Sequence, residues 1–449
     1  MRITTSQSSR SGQNALIPGF ALLASALLGT AAPAQDRATQ ETWTQEKLEA
    51  TSHEIQKDVE QLRGVKFKAD VPVKLSSKEQ FVAYALDFES AMAPPARRKA
   101  DETVLRMLAL IPPDMDMLQE ELRLLKDQVG GFYDPKSKMF FLMENCPMAM
   151  AKTVLAHELG HALDDQLYDI GGSMEKLAER TDAGLAYHAV VEGSGTVVQA
   201  RWMADHLKPM EMLGMLGQIE EQSAAMAHSP TILWKPLLGS YTTGAAFLGR
   251  NENLQVGLKN PPASSDLDRA FRAPPKSTEQ VLHPEKYWSD PRDEPIAVEQ
   301  VCSALPGDWA VLRRDTFGEL GIAIWCVAPA QREFDGPGEV ANVAGVTFTS
   351  PPATGWGGDE LVLLGEGEKA RAIRWLTVWD SERDAAEFYG AASTVVPALK
   401  PGLTRLAGGK SRLTSAAVRY GTSREVVIEL GYGAKADDLK GVFETIASK

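Results

Sequence analysis

The chain of 449 residues carries a formal net charge of -13 and a pI near 5.2, an acidic balance that argues against nucleic acid as its partner. At 44% hydrophobic and 24% charged its composition is globular rather than disordered, and its length allows two or three domains with a sizeable core.

The first residues differ in kind. Arg2 and Arg10 lie in a polar start, residues 15–32 form an apolar run interrupted by Pro18 and Gly19, and Ala32-Pro33-Ala34 supplies the small residues of an A-x-A cleavage site. Residues 1–34 are therefore expected to be a cleaved secretory signal. The mature chain would be periplasmic or extracellular and not stably inserted in a membrane, since no second segment reaches spanning length. Cys146, Cys302 and Cys326 match no zinc-knuckle or thioredoxin spacing. An oxidising compartment permits one disulfide, and Cys302 with Cys326 is the expected pair because they are close in sequence and flank one predicted unit, two buried thiols being the alternative.

Trp43, Leu48, Ile55, Val59 and Leu62 recur at helical intervals and predict an amphipathic helix over 42–62. A strand over 71–75 follows. Ser76 is placed to cap a helix over 78–92, which Ala93-Pro94-Pro95 stops before further helices over 97–110 and 115–128. Gly130-Gly131 and Asp134-Pro135 mark turns, and the apolar run 139–143 reads as the second strand of a β-hairpin. Helices are expected over 147–167 and 174–207, the second carrying small residues at Ala183, Ala186, Ala189, Gly193 and Ala200 for close packing. Ser277-Thr278-Glu279-Gln280 is a capping box for a short helix that Pro284 ends. After Gln300 the pattern becomes strands over 372–378 and 426–430 and helices over 382–392 and 436–446, an α+β unit. Trp356-Gly357-Gly358-Asp359 reads as a structural turn. The period-two alternation of Ile373, Trp375 and Thr377 favours a strand over a carbohydrate platform.

The chemistry is concentrated in His157-Glu158-Leu159-Gly160-His161. Residues four apart share a helix face, so the two imidazoles can converge on one ion while Glu158 leans over the remaining coordination position. In this arrangement zinc lowers the pKa of water to about 7 and the glutamate takes its proton as the water attacks a carbonyl. A hydrolytic zinc takes three protein ligands and keeps a fourth position open. Glu192, charged among valines and glycines, is the expected third ligand, because a carboxylate on such a face needs a partner or a metal. His188, one turn earlier, is the competing ligand, and Asp182 could hold a ligand imidazole through its free N–H. Asp164 and Asp165 are expected to be solvated or local acceptors. His283 and Tyr241 are the candidate donors to an oxyanion. Another divalent ion in place of zinc is compatible with these ligand types.

The H-E-x-x-H run with Glu192 on the next helix resembles the gluzincin zinc metallopeptidases, the clan of thermolysin. The span from Leu62 to Tyr287 is also similar to a group of exported bacterial proteins, through Gly131-Phe132-Tyr133-Asp134-Pro135, His157 to Gln166, Val191-Glu192-Gly193 and Ser277 to Pro284. The N-E-x-x-S-D signature that thermolysin carries around its third ligand is absent here. The resemblance implies a sheet whose edge strand receives an extended peptide above the motif helix, and the hairpin over 132–143 is the natural candidate for that strand.

The expectation is an α+β, predominantly helical chain. Residues 35–300 would form a zincin-like catalytic domain with a small sheet, and 301–449 a smaller C-terminal α+β domain. The expected function is zinc-dependent hydrolysis of peptide or protein substrates, with His157, His161 and Glu192 on the metal and Glu158 as general base. The alternatives are an exported module with a structural zinc, or a zinc hydrolase acting on a non-peptide amide or ester.

Overall fold

The structure, a computed structural model, describes residues 43–208, 229–327, 346–399, 403–406 and 409–448. The expected signal segment lies outside the described residues. The fold is α+β, with helix predominating in the first two thirds.

Helix α1 (Gln45–Arg63) starts where the Thr44 side chain accepts from the Lys47 amide and ends at Gly64, whose φ of 65° gives a left-handed cap. Strand β1 (Val73–Ser76) leads to α2 (Lys78–Met92). Ser77, one residue beyond the expected cap, accepts from the Gln80 amide, because Ser76 is taken up by the strand. Helices α3 (Pro95–Met107) and α4 (Met117–Gln128) follow, the latter capped by Asp116. The hairpin of β2 (Gly131–Asp134) and β3 (Met139–Met143) forms as predicted. With β1 parallel to β3 it makes a three-stranded sheet in the order β1-β3-β2. One apolar core joins this sheet to α1, α2, α4 and the motif helix α5 (Met148–Tyr168) through Leu48, Phe81, Leu125, Phe140, Val154 and Leu155.

The single helix expected over 174–207 is two, α6 (Ile170–Leu177) and α7 (Thr181–His206). Asp169, at φ 55°, ends α5 and caps α6 through the Gly172 amide, so the paired glycines lie inside α6 rather than before it. The break before α7 is fixed by partners distant in sequence. Thr181 donates its hydroxyl to Asp315 at 2.5 Å, and Asp182 accepts from the amide and hydroxyl of Thr278 at 3.0 and 2.6 Å. Asp182 thus anchors α7 to the capping-box helix and does not hold a ligand imidazole.

The small residues of α7 do their expected work against α8 (Thr231–Leu248). A Cβ on Gly193 would overlap the backbone of Gly244, and one on Gly244 would overlap the Ala189 carbonyl, so the helices cross backbone to backbone. Short helices α9 (Leu254–Lys259), α10 (Ser264–Arg272), α11 (Thr278–Leu282) and α12 (Pro284–Trp288) complete this part. Ser277 caps α11 by accepting from the Gln280 amide.

Strand β4 (Gln300–Val301) pairs with the last strand, β11 (Ala447–Ser448). Between them lie β5 (Trp309–Asp315), α13 (Gly318–Trp325), β6 (Trp356–Glu366), β7 (Lys369–Trp379), α14 (Glu382–Ala398), β8 (Leu403–Leu406), β9 (Gly409–Tyr420), β10 (Glu425–Tyr432) and α15 (Ala436–Glu444). Six strands form an antiparallel sheet in the order β5-β6-β7-β10-β9-β8. Trp356 to Asp359 opens β6 instead of making a turn. The Asp359 carboxylate accepts from the amides of Phe317 and Gly318 and the indoles of Trp356 and Trp375, each at 2.9 Å, which ties the start of α13 to the sheet.

Alternate strand residues face opposite sides of a sheet. Leu361, Leu363, Ile373 and Trp375 pack with α13 and α14, while Val362, Leu364 and Ala372 pack with α15. Cys326 joins the first cluster and Cys302 the second. The sheet therefore separates them, and the expected disulfide does not form. Val104, Leu105 and Met107 of α3 belong to the first cluster too, and Arg313 of β5 donates to Asp101 at 2.6 Å. The second unit thus recruits a helix from far upstream of residue 300.

The Asp182 anchor has a pH signature. Burial pushes its carboxyl up to about 8, against the two Thr278 bonds that favour the charged form. Since its unfolded value is about 3.9, the native state binds the extra proton. Its contribution to stability is full below about pH 4 and is lost as the pH rises towards 8. Asp182→Asn, neutral throughout, is expected to melt with a flatter pH dependence than wild type across that window. Parallel melting curves would contradict the assignment.

Candidate metal centre

His157 and His161 lie one turn apart on α5, held inward by Leu155, Leu159 and Leu163 on a helix that is buried along most of its length. Their Nε2 atoms are 2.9 Å apart. Glu192 of α7 presents Oε2 to both, at 3.1 Å from His157 and 3.4 Å from His161. Tetrahedral zinc, with bonds of about 2.0–2.1 Å to nitrogen and about 2.0–2.2 Å to oxygen, spaces its ligand atoms about 3.3 Å apart. The three donors therefore fit the ion in type and spacing. Space is kept on the same side by Gly195, one turn beyond Glu192, because a Cβ there would come within 2.8 Å of His157 Cε1 and Nε2 and of His161 Cε1.

All three side chains are buried, Glu192 completely. Burial alone would raise the Glu192 carboxyl, but the charge on His161 and hydrogen bonds from His157, His161 and His188 carry it well below the ordinary carboxylate range. His188 meets the other oxygen, its Nε2 lying 3.1 Å from Oε1. It is not one of the residues whose ligand atoms come together.

Glu158 is fully buried beside His157, and its Oε2 accepts from the amide of Tyr133 at 2.8 Å. That amide belongs to β2, the edge strand nearest α5. The strand expected to receive a peptide is thus buried at all four positions and bonded to the motif glutamate. Tyr241 of α8 closes the cluster, its ring stacked on His157 at 5.7 Å between centroids. Burial, the charges of Glu192 and Glu158, and a hydrogen bond to Glu192 push its phenol well above its usual 10, so it stays a protonated donor.

His283 is not brought to this cluster. It sits between α11 and α12 with Nε2 3.0 Å from Glu319 of α13 and Nδ1 facing Glu252 and Glu285 at 3.9 and 4.0 Å. Burial would lower its pKa, but the hydrogen bond and charge of Glu319 raise it, making His283 part of an ion pair that docks α13.

The motif helix is tied down by the two acids expected to be solvated or local acceptors. Asp164 is fully buried, bonded to Arg63 at 2.6 Å and accepting at 2.6 Å from Ser194, which lies two residues past Glu192, so α1, α5 and α7 meet at one carboxylate. Asp165 accepts from Tyr133 Oη at 2.8 Å and Lys138 Nζ at 2.7 Å, tying the hairpin to α5. The face that Asp164 shares with His161, one turn on, was legible in the sequence, but its partners Arg63 and Ser194 were not.

Residues 310–437 match a family described as a domain of unknown function (DUF8575). The match covers less than a third of the chain, spans β5 to the start of α15, and excludes the His157–Glu192 cluster. No curated protein and no solved structure matches the chain.

Proposed function

We propose that the protein is an exported zinc-dependent hydrolase of the gluzincin type that cleaves peptide bonds. The observation that carries the reading is the convergence of His157 Nε2, His161 Nε2 and one oxygen of Glu192, with Glu158 alongside and His188 turned to the other oxygen. Among the described residues this leaves three protein donors, the number a hydrolytic site uses, whereas a structural zinc has four. The three-stranded sheet packed against α5 and the third donor on α7 support this reading.

When bound, zinc supplies a Lewis acid that acidifies water and polarises a carbonyl. Glu158, held by the Tyr133 amide, is the base that takes the proton from the attacking water and returns it to the leaving amine. His157 and His161 would hold the ion from α5, and Glu192 would set one negative charge against its two positive ones. Tyr241, now on Glu192, is the O–H donor nearest a developing oxyanion.

Tyr241→Phe is expected to lower kcat by about 10²- to 10³-fold, the usual cost of one oxyanion donor, in protein kept saturated with zinc because the change also removes a bond to Glu192. An unaltered kcat would remove it from that role. The function itself is tested by offering the purified chain an unbiased peptide mixture, with and without chelator. Cuts that vanish with chelator and return with zinc support peptide hydrolysis; a folded, zinc-loaded chain that makes none refutes it.

A further inference from the structure

Outer partners usually orient a metal site through its imidazoles, a carboxylate or carbonyl accepting the histidine's second N–H. Among the described residues that support is absent: Nδ1 of His157 and Nδ1 of His161 are both buried without a hydrogen-bond partner there. The polar support falls on the carboxylate. His188, 1% exposed, stands one helical turn before Glu192 on the same helix and meets Oε1 at 3.1 Å. The i,i+4 relation on a regular helix places it there without any loop to order.

We propose that His188 is a positioning residue that keeps Glu192 a one-oxygen ligand. By donating its Nε2 proton to Oε1 it turns Oε2 towards His157 and His161 and withholds the second oxygen from the ion. The proposal rests on the metal reading above. A carboxylate bound through both oxygens would fill the position that hydrolysis needs open, so the role of His188 is to preserve that position as well as to hold the ligand.

The test uses the full chain as wild type, His188→Ala, His188→Phe and His188→Gln. Phe fills much of the same space without a donor, and Gln restores an N–H. Zinc affinity is measured by competition with a chromophoric chelator, coordination by the visible spectrum of the cobalt-substituted protein, and folding by the melting of the metal-free form. Removing the donor is expected to weaken zinc binding about 10- to 100-fold and to reduce the intensity of the cobalt bands as coordination number rises. Gln should recover most of both. If the alanine variant fails to fold, the phenylalanine variant gives the same reading. A folded donor-less variant with wild-type affinity and a wild-type cobalt spectrum overturns the proposal. Wild-type protein that binds no zinc instead overturns the metal reading, and is seen before any variant is made.

Discussion

Glu158→Gln is expected to lower kcat/KM for peptide cleavage by about 10²- to 10⁴-fold, the range a positioned general base supplies, while the chain still binds one zinc. The amide keeps the shape of the side chain and an oxygen that can accept from the Tyr133 amide, the contact that now fixes Oε2 at 2.8 Å. It loses only the ability to take a proton. Glu158 is not one of the three residues whose ligand atoms converge, so activity and zinc content should separate in this variant. Full activity would exclude Glu158 as the base. Zinc lost along with activity would make it a ligand or a structural support instead.

Glu192→Ala is expected to weaken zinc binding by more than the roughly 10- to 100-fold that loss of an outer partner costs. Three facts combine here. Among the described residues the carboxylate brings the only negative charge that meets both ligand imidazoles, it is fully buried, and it is the one α7 side chain among the three that converge. Its removal leaves His157 and His161 with Nε2 atoms 2.9 Å apart and no counter-charge. His188, bonded to Oε1, loses its acceptor as well and cannot substitute, because it faces the far side of the carboxylate. Metal analysis after dialysis against a weak chelator checks this, and wild-type zinc content would remove Glu192 from the ligand set.

The parts of the site that were legible in the sequence are those that helix geometry fixes locally. His157 and His161 share a face because they are four apart, and Glu192 stands out as a charge on an apolar, small-residue helix. The close crossing of α7 on α8 was foreshadowed by Ala189 and Gly193. What was not legible depends on partners remote in sequence. The break before α7 is made by Asp315 and Thr278, the burial of Asp164 by Arg63, and the placing of α3 in the second core by strands more than 200 residues away. His283 was a candidate oxyanion donor because a hydrolase of this type needs one, yet its bond goes to Glu319, which local sequence could not show. The disulfide expectation failed for the same reason. Closeness of Cys302 and Cys326 along the chain says nothing of the sheet that lies between them.

The most direct measurement is anomalous diffraction at the zinc edge from crystals of the chain grown with zinc. The account predicts one peak about 2.0–2.2 Å from His157 Nε2, His161 Nε2 and a single oxygen of Glu192, with no fourth protein ligand. A peak held by four protein ligands, or no peak at this cluster, would contradict it.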